Sequence, residues 1–150
     1  MREEDYIALT KDDLERRFKE YNEIYFEGIL PKCHLTIGGN QEYGYGGYVN
    51  PKKGKPRIYL CQGVYWTDDS LKLILIHEMV HHYVSTIVKP PFGETPHGYQ
   101  FNKKCKQLLT QYGLKVGLHN SPKPFFKREI VPTTWLGKLR RRLWGAKFSK

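Results

Sequence analysis

The chain is short of the residues that build disulfide frameworks and membrane spans. Its 150 residues include three cysteines, Cys33, Cys61 and Cys105. Their odd number, wide spacing and lack of a C-x-x-C pair argue against both a disulfide scaffold and a cysteine-rich zinc ribbon. Small buried thiols in a reducing compartment are the reading that remains. Long apolar runs are missing as well: the longest, Leu73 to Ile76, falls far short of the ~20 residues that cross a bilayer. The N-terminus, Met1-Arg2-Glu3-Glu4-Asp5, is acidic where a secretory signal is basic and then apolar. A cytoplasmic protein is expected.

Acidic residues are scarce in one half only. Residues 1–70 carry 10 Lys+Arg against 12 Asp+Glu, whereas residues 71–150 carry 15 against 3. The net charge of +10 therefore sits entirely in the C-terminal half, which points to a polyanionic partner, nucleic acid before membrane, where a basic surface does not serve solubility alone. Internal repeats and low-complexity blocks are also absent. The length suits one domain with a real core. The expected organisation is a catalytic domain over residues 1–120 and a basic C-terminal extension over 121–150, opened by the linker Ser121-Pro122-Lys123-Pro124.

Periodicity and punctuation give the elements. Thr10 suits an N-cap, Asp12 and Asp13 suit the positive end of a helix, and Leu14, Phe18, Tyr21 and Tyr25 share one helical face. Gly28 and Pro31 stop that helix. Three β-like runs follow, Cys33 to Ile37, Tyr45 to Asn50 and Arg57 to Cys61, separated by glycine- and proline-rich turns. They predict a small, mostly antiparallel sheet. Gly44, Gly46 and Gly47 interrupt the middle run, as at a bulge, a close backbone approach or a flexible turn. After possible caps in Thr67-Asp68-Asp69-Ser70, residues 71 to about 87 read as a helix buried on most sides. Lys89-Pro90-Pro91-Phe92-Gly93 breaks it. Thr95-Pro96 then looks like the start of a returning helix with Phe101, Cys105, Leu108, Leu109 and Tyr112 on one face, ending at Gly113. In the tail, Trp135, Leu136, Leu139, Leu143 and Trp144 stand at helical spacing among Lys138, Arg140, Arg141, Arg142 and Lys147. The fold class expected is α+β.

The chemistry concentrates in His77-Glu78-Met79-Val80-His81, an H-E-x-x-H sequence inside the apolar helix. Residues four apart lie on one face a turn apart, so both imidazoles can reach one ion while Glu78 stands beside it. Burying three polar groups on an apolar helix without a metal would be costly. A hydrolytic zinc takes a third protein ligand and a water whose pKa falls to about 7, within reach of a carboxylate base. Candidates for the third ligand are His82, Glu94, His97 and the more distant His119. His82 is about 100° around the helix from His81 and cannot face the same ion. His97, expected in the first turn of the returning helix, is better placed, with Glu94 as fallback.

The sequence resembles the SprT-like metallopeptidases. The matching pieces are Tyr21-Asn22-Glu23-Ile24-Tyr25-Phe26-Glu27-Gly28-Ile29-Leu30-Pro31, the strand Arg57-Ile58-Tyr59-Leu60, His77-Glu78-Met79-Val80-His81, and His97-Gly98-Tyr99-Gln100-Phe101. In order and spacing they cover roughly residues 10 to 112. The resemblance implies a zincin-like fold with a small sheet above the H-E-x-x-H helix. It also implies Zn2+ held by His77, His81 and His97, Glu78 as catalytic base, and a protein substrate. Several relatives degrade proteins crosslinked to DNA. Many carry a cysteine-rich zinc ribbon after the core, which this chain cannot build, leaving the basic tail to take that role.

The expected function is zinc-dependent peptide-bond hydrolysis, on DNA-associated proteins if the tail binds DNA. Tyr99 and His82 are candidates to stabilise the oxyanion by proximity in sequence. The rival is a zinc-containing nucleic-acid-binding protein without proteolysis, against which Glu78 speaks. A closed site with a fourth protein ligand would favour it. Weaker still is a peripheral membrane protein using the Trp135 to Trp144 stretch.

Overall fold

Of the inward face expected from Leu14, Phe18, Tyr21 and Tyr25, helix α1, Lys11–Tyr25, buries Leu14, Tyr21 and Tyr25, while Phe18 packs half-buried against the core. Thr10 caps the helix by accepting from the Asp13 amide at 3.1 Å. The computed structural model of the chain describes residues 6–38, 45–117 and 125–126. Strands β1 (His34–Ile37), β2 (Gly46–Val49), β3 (Arg57–Leu60) and β4 (Val64–Tyr65) follow. Then come α2 (Asp68–Tyr83), a π-helical turn (Val84–Val88), α3 (Tyr99–Tyr112) and β5 (Phe125–Phe126). The Gly44 position, the 121–124 linker, His119 and the Trp135 to Trp144 stretch lie outside the described residues.

The sheet order is β1-β3-β2, and the sheet is mixed rather than mostly antiparallel. β3 pairs antiparallel with β2 (Gly47 opposite Tyr59) but parallel with β1 (Leu35 opposite Ile58). The long connection from β1 to β3 carries the chain out to β2 and back, so β1 and β3 run the same way. A separate antiparallel pair, β4 with β5, returns the chain beyond Asn120 to the domain. Among the described residues β2 has a free edge. Because Tyr45 O accepts from Cys61 N, the alternation of antiparallel bonding turns the main-chain groups of Gly46 and Tyr48 outward to that edge.

Ile58 and Leu60 of β3, Leu71, Leu75, Ile76, Met79 and Val80 of α2, and Trp66 form the core, each at most 1% exposed. This explains the dense apolar run of α2, a helix covered on more than one side. Thr67 is its cap: the Ser70 amide donates to Thr67 Oγ1 while the Thr67 amide donates to Ser70 Oγ, a reciprocal capping box. The helix changes character earlier than periodicity suggests. From Val84 it widens into a π turn, closed by Lys89 N donating to Val84 O at 2.8 Å. Lys89 then takes a left-handed conformation (φ 52°) as the C-cap of that turn, and Pro90 after it disfavours any continuation of the right-handed helix. Cys33, Cys61 and Cys105 form no disulfide with one another. Burial pushes the Cys33 thiol up to about 12 and that of Cys105 to about 11, so neither is poised as a thiolate.

Candidate metal centre

α2 carries His77 and His81 one turn apart on the face that meets the 89–98 loop and α3. That loop is shaped by two tight turns, Glu94 N to Pro91 O and Gly98 N to Thr95 O. They bring His97 back over α2. His97 lies in the second turn, not in the first turn of a helix, and the N-cap of α3 is Gly98 rather than Thr95. The physical reason is crowding: a Cβ at Gly98 would stand 2.8 Å from Glu94 Cγ and 2.9 Å from Thr95 O, so only glycine lets the chain fold this tightly before α3 begins. The Asn102 side-chain amide then donates to His97 O and Gly98 O at 2.8 and 2.9 Å, fixing the loop that carries His97 to the helix.

The three imidazoles converge. His81 Nε2 and His97 Nε2 are 3.1 Å apart, and His97 Nε2 and His77 Nε2 are 3.4 Å apart. Tetrahedral ligands with Zn–N distances of 2.0–2.1 Å stand about 3.3–3.4 Å from one another, so the donor set fits a zinc-sized ion. Burial and, second, the neighbouring His97 hold the His77 imidazole down to about 4. Burial, His77 and His97 hold His81 down to about 3. Both rings are therefore neutral at ordinary pH, the form that binds metal. Phe101, on the first turn of α3, floors the group, with ring centroids 5.1, 4.5 and 4.8 Å from His77, His81 and His97. Periodicity marks Phe101 only as a core residue; its contact with all three histidines follows from how α3 docks.

Glu78 is buried beside this group, with Oε1 3.8 Å from His77 Nε2. Its Oε2 is buried with no hydrogen-bond partner among the described residues. Desolvation pushes its carboxyl up to about 8. A cation held by the histidines would supply the charge that this carboxylate lacks. Glu94 borders the cleft but is not among the converging donors, which are His77, His81 and His97.

His82 is turned away from the cluster, as helix geometry requires. It is fully buried; its Nε2 donates to Pro31 O at 2.8 Å, and its Nδ1 takes the Tyr48 hydroxyl at 2.9 Å. Tyr99 is 68% exposed and does not line the cleft. Neither residue is positioned for the oxyanion role expected from proximity in sequence. The cleft itself is an open cavity of about 820 Å³ whose floor holds the histidines and Glu78. One wall is the bare edge of β2 at Gly46 and Gly47 with Tyr48 and Tyr59, and the other is the loop through Lys89 and Glu94.

Among the described residues no helix is long and apolar enough to cross a membrane. A search of curated proteins finds no match. A family model does match, that of the SprT-like family, over residues 14–120, a span that takes in α1, the sheet, α2, the histidine cluster and α3. With that match covering most of the sequence, the chain belongs to the SprT-like family.

Proposed function

We propose that this chain is a zinc-dependent endopeptidase in which His77, His81 and His97 hold Zn2+ and Glu78 is the general base. The observation that carries the reading is the orphaned, buried Glu78 carboxyl group set beside three converging imidazoles. A structural zinc site needs no such group, and a fourth protein ligand is absent among the described residues. Zinc, when bound, supplies Lewis acidity and lowers the pKa of water toward 7. Glu78 takes a proton from the attacking water and delivers it to the leaving nitrogen. Its apolar surroundings favour both its protonated and its charge-compensated states over a free carboxylate.

The substrate is a protein segment in extended form. The outward main-chain groups of Gly46 and Tyr48 offer a strand edge for it, a mode that gives affinity with little sequence preference. The excess of basic residues in the C-terminal half supports DNA as a partner that gathers substrate proteins near the enzyme. Metal analysis together with hydrolysis of an unfolded protein such as casein, with and without DNA, tests the proposal. Glu78→Gln is expected to keep stoichiometric zinc and to lose hydrolysis by at least ~10²-fold. Loss of zinc in that variant, or undiminished hydrolysis, would refute the role of Glu78.

A further inference from the structure

Tyr59 sits directly opposite Gly47 across β3 and β2, where cross-strand side chains normally meet as neighbours. Here only one of them exists. A Cβ built at Gly47 would fall on the Tyr59 hydroxyl and Cζ, and 2.7 Å from Cε1. The phenol of Tyr59 therefore fills the volume that a side chain at position 47 would take, lying across the edge strand toward the cleft that it lines with Gly46, Gly47, His77 and Glu78. The glycine is what lets the ring reach the rim.

The two cleft tyrosines are used differently. Tyr48 bonds through its hydroxyl to the buried His82. The Tyr59 hydroxyl bonds none of the described residues, and Tyr59 is only partly buried. An open phenol at the rim of a cleft, above a strand edge stripped of side chains, is built to meet a ligand main chain that approaches closely.

We infer that Tyr59 is a substrate-gripping residue: its ring packs over a peptide lying along the Gly46 and Gly47 edge, and its hydroxyl donates to a main-chain carbonyl of that peptide. The inference rests on the peptidase reading of the cleft and deepens it by assigning the upper rim. Because it concerns binding and not bond cleavage, it can be tested apart from hydrolysis.

The measurement is fluorescence anisotropy of a labelled, carboxymethylated casein fragment with zinc-loaded Glu78→Gln protein as parent. Adding Tyr59→Phe removes one donor and is expected to weaken binding about fivefold, the equivalent of one ordinary hydrogen bond. Tyr59→Ser removes the ring too and weakens it further. Gly47→Ala is expected to mimic the loss by displacing the phenol, and to add nothing in the Tyr59→Ser background, because the two changes act on one contact. Zinc content and the urea midpoint of Tyr59→Phe should equal those of the parent, so that weaker binding reads the lost contact with peptide and not a change in the fold; a purely structural tyrosine would leave binding unchanged as well. Parent-like binding by Tyr59→Phe and Tyr59→Ser, additive effects of Gly47→Ala and Tyr59→Ser, or no peptide binding by the parent would each overturn the inference. Tight, Tyr59-dependent binding without hydrolysis by the wild-type chain would instead sink the peptidase reading and leave the grip standing.

Discussion

The Tyr48 hydroxyl and His82 Nδ1 lie 2.9 Å apart, while His82 Nε2 donates to Pro31 O at 2.8 Å. One buried imidazole thus ties the cleft-side strand β2 to α2 and to the chain leaving α1. Both ring nitrogens are occupied by neutral partners, so His82 is held in its neutral form, and burial keeps its pKa below the ordinary histidine value.

His82→Ala is accordingly expected to keep zinc but to cost about 2–4 kcal/mol of stability, from a cavity and two orphaned partners. Tyr48→Phe should cost less, about 1 kcal/mol. Urea unfolding at constant zinc content checks both. Release of zinc from the His82→Ala protein would show that the residue serves the metal after all.

His97 should behave in the opposite way. His97→Ala is expected to leave the apo protein folded and to weaken zinc binding severely, since two imidazoles remain where three converged. For the wild-type chain, zinc at about 1,000 times its Kd should stabilise the fold by about 4 kcal/mol, a gain that a chelator removes. Thermal scans with and without chelator measure the gain. An undiminished zinc effect in the variant, abolished only by Glu94→Ala, would move the third ligand to Glu94.

Arg17, in the middle of α1, joins it to the first residue of α2. Its guanidinium donates to Asp13 at 2.8 Å, to the Tyr21 hydroxyl at 3.0 Å and to Asp68 at 2.9 Å. Burial works to raise the Asp13 pKa, but the bonds from Arg17 and Arg16 outweigh it and hold the carboxyl below its usual value. A depressed carboxyl pKa contributes stability that is present above the unfolded value, about 3.9, and is lost as pH falls through the folded one. Arg17→Met should therefore destabilise by about 1–3 kcal/mol at neutral pH. The gap between variant and wild type should narrow below about pH 4. Urea titrations at pH 7 and pH 3 measure that gap; a constant value would remove Asp13 from the account.

The basic tail supplies the DNA prediction. A chain truncated after Phe126 retains β5, which pairs with β4, and is expected to keep zinc and hydrolysis while losing most DNA affinity. For the full chain log K should fall by roughly 0.9 per neutralised phosphate per unit of log salt on duplex DNA. If Trp135 and Trp144 stack on bases, single strands should bind more tightly than duplex. Equal affinities and salt slopes for the two chains would shift attention to Lys103, Lys104 and Lys106 of α3.

Some of this protein is written locally. The spacing of His77 and His81 fixes both on one helical face, and the same 3.6-residue geometry excludes His82 from it. The caps Thr10 and Thr67 and the buried face of α1 follow from short-range chemistry, and the ordered motifs across residues 10 to 112 are enough to reveal the SprT-like family. What the tertiary structure decided involves partners distant in sequence. Where His97 stands depends on how tightly the 89–98 loop can turn at Gly98, and the role of Phe101 depends on how α3 docks. Pairing of β1 with β3 makes the sheet mixed, and only that pairing leaves β2 as the cleft edge. Leu109 and Tyr112 share a predicted inward face yet are each 39% exposed, because α3 meets the rest of the chain along a narrower stripe than periodicity suggests. The phenol of Tyr59 lying in the space left by Gly47 is a contact between strands, set by register, and no local pattern of residues encodes it.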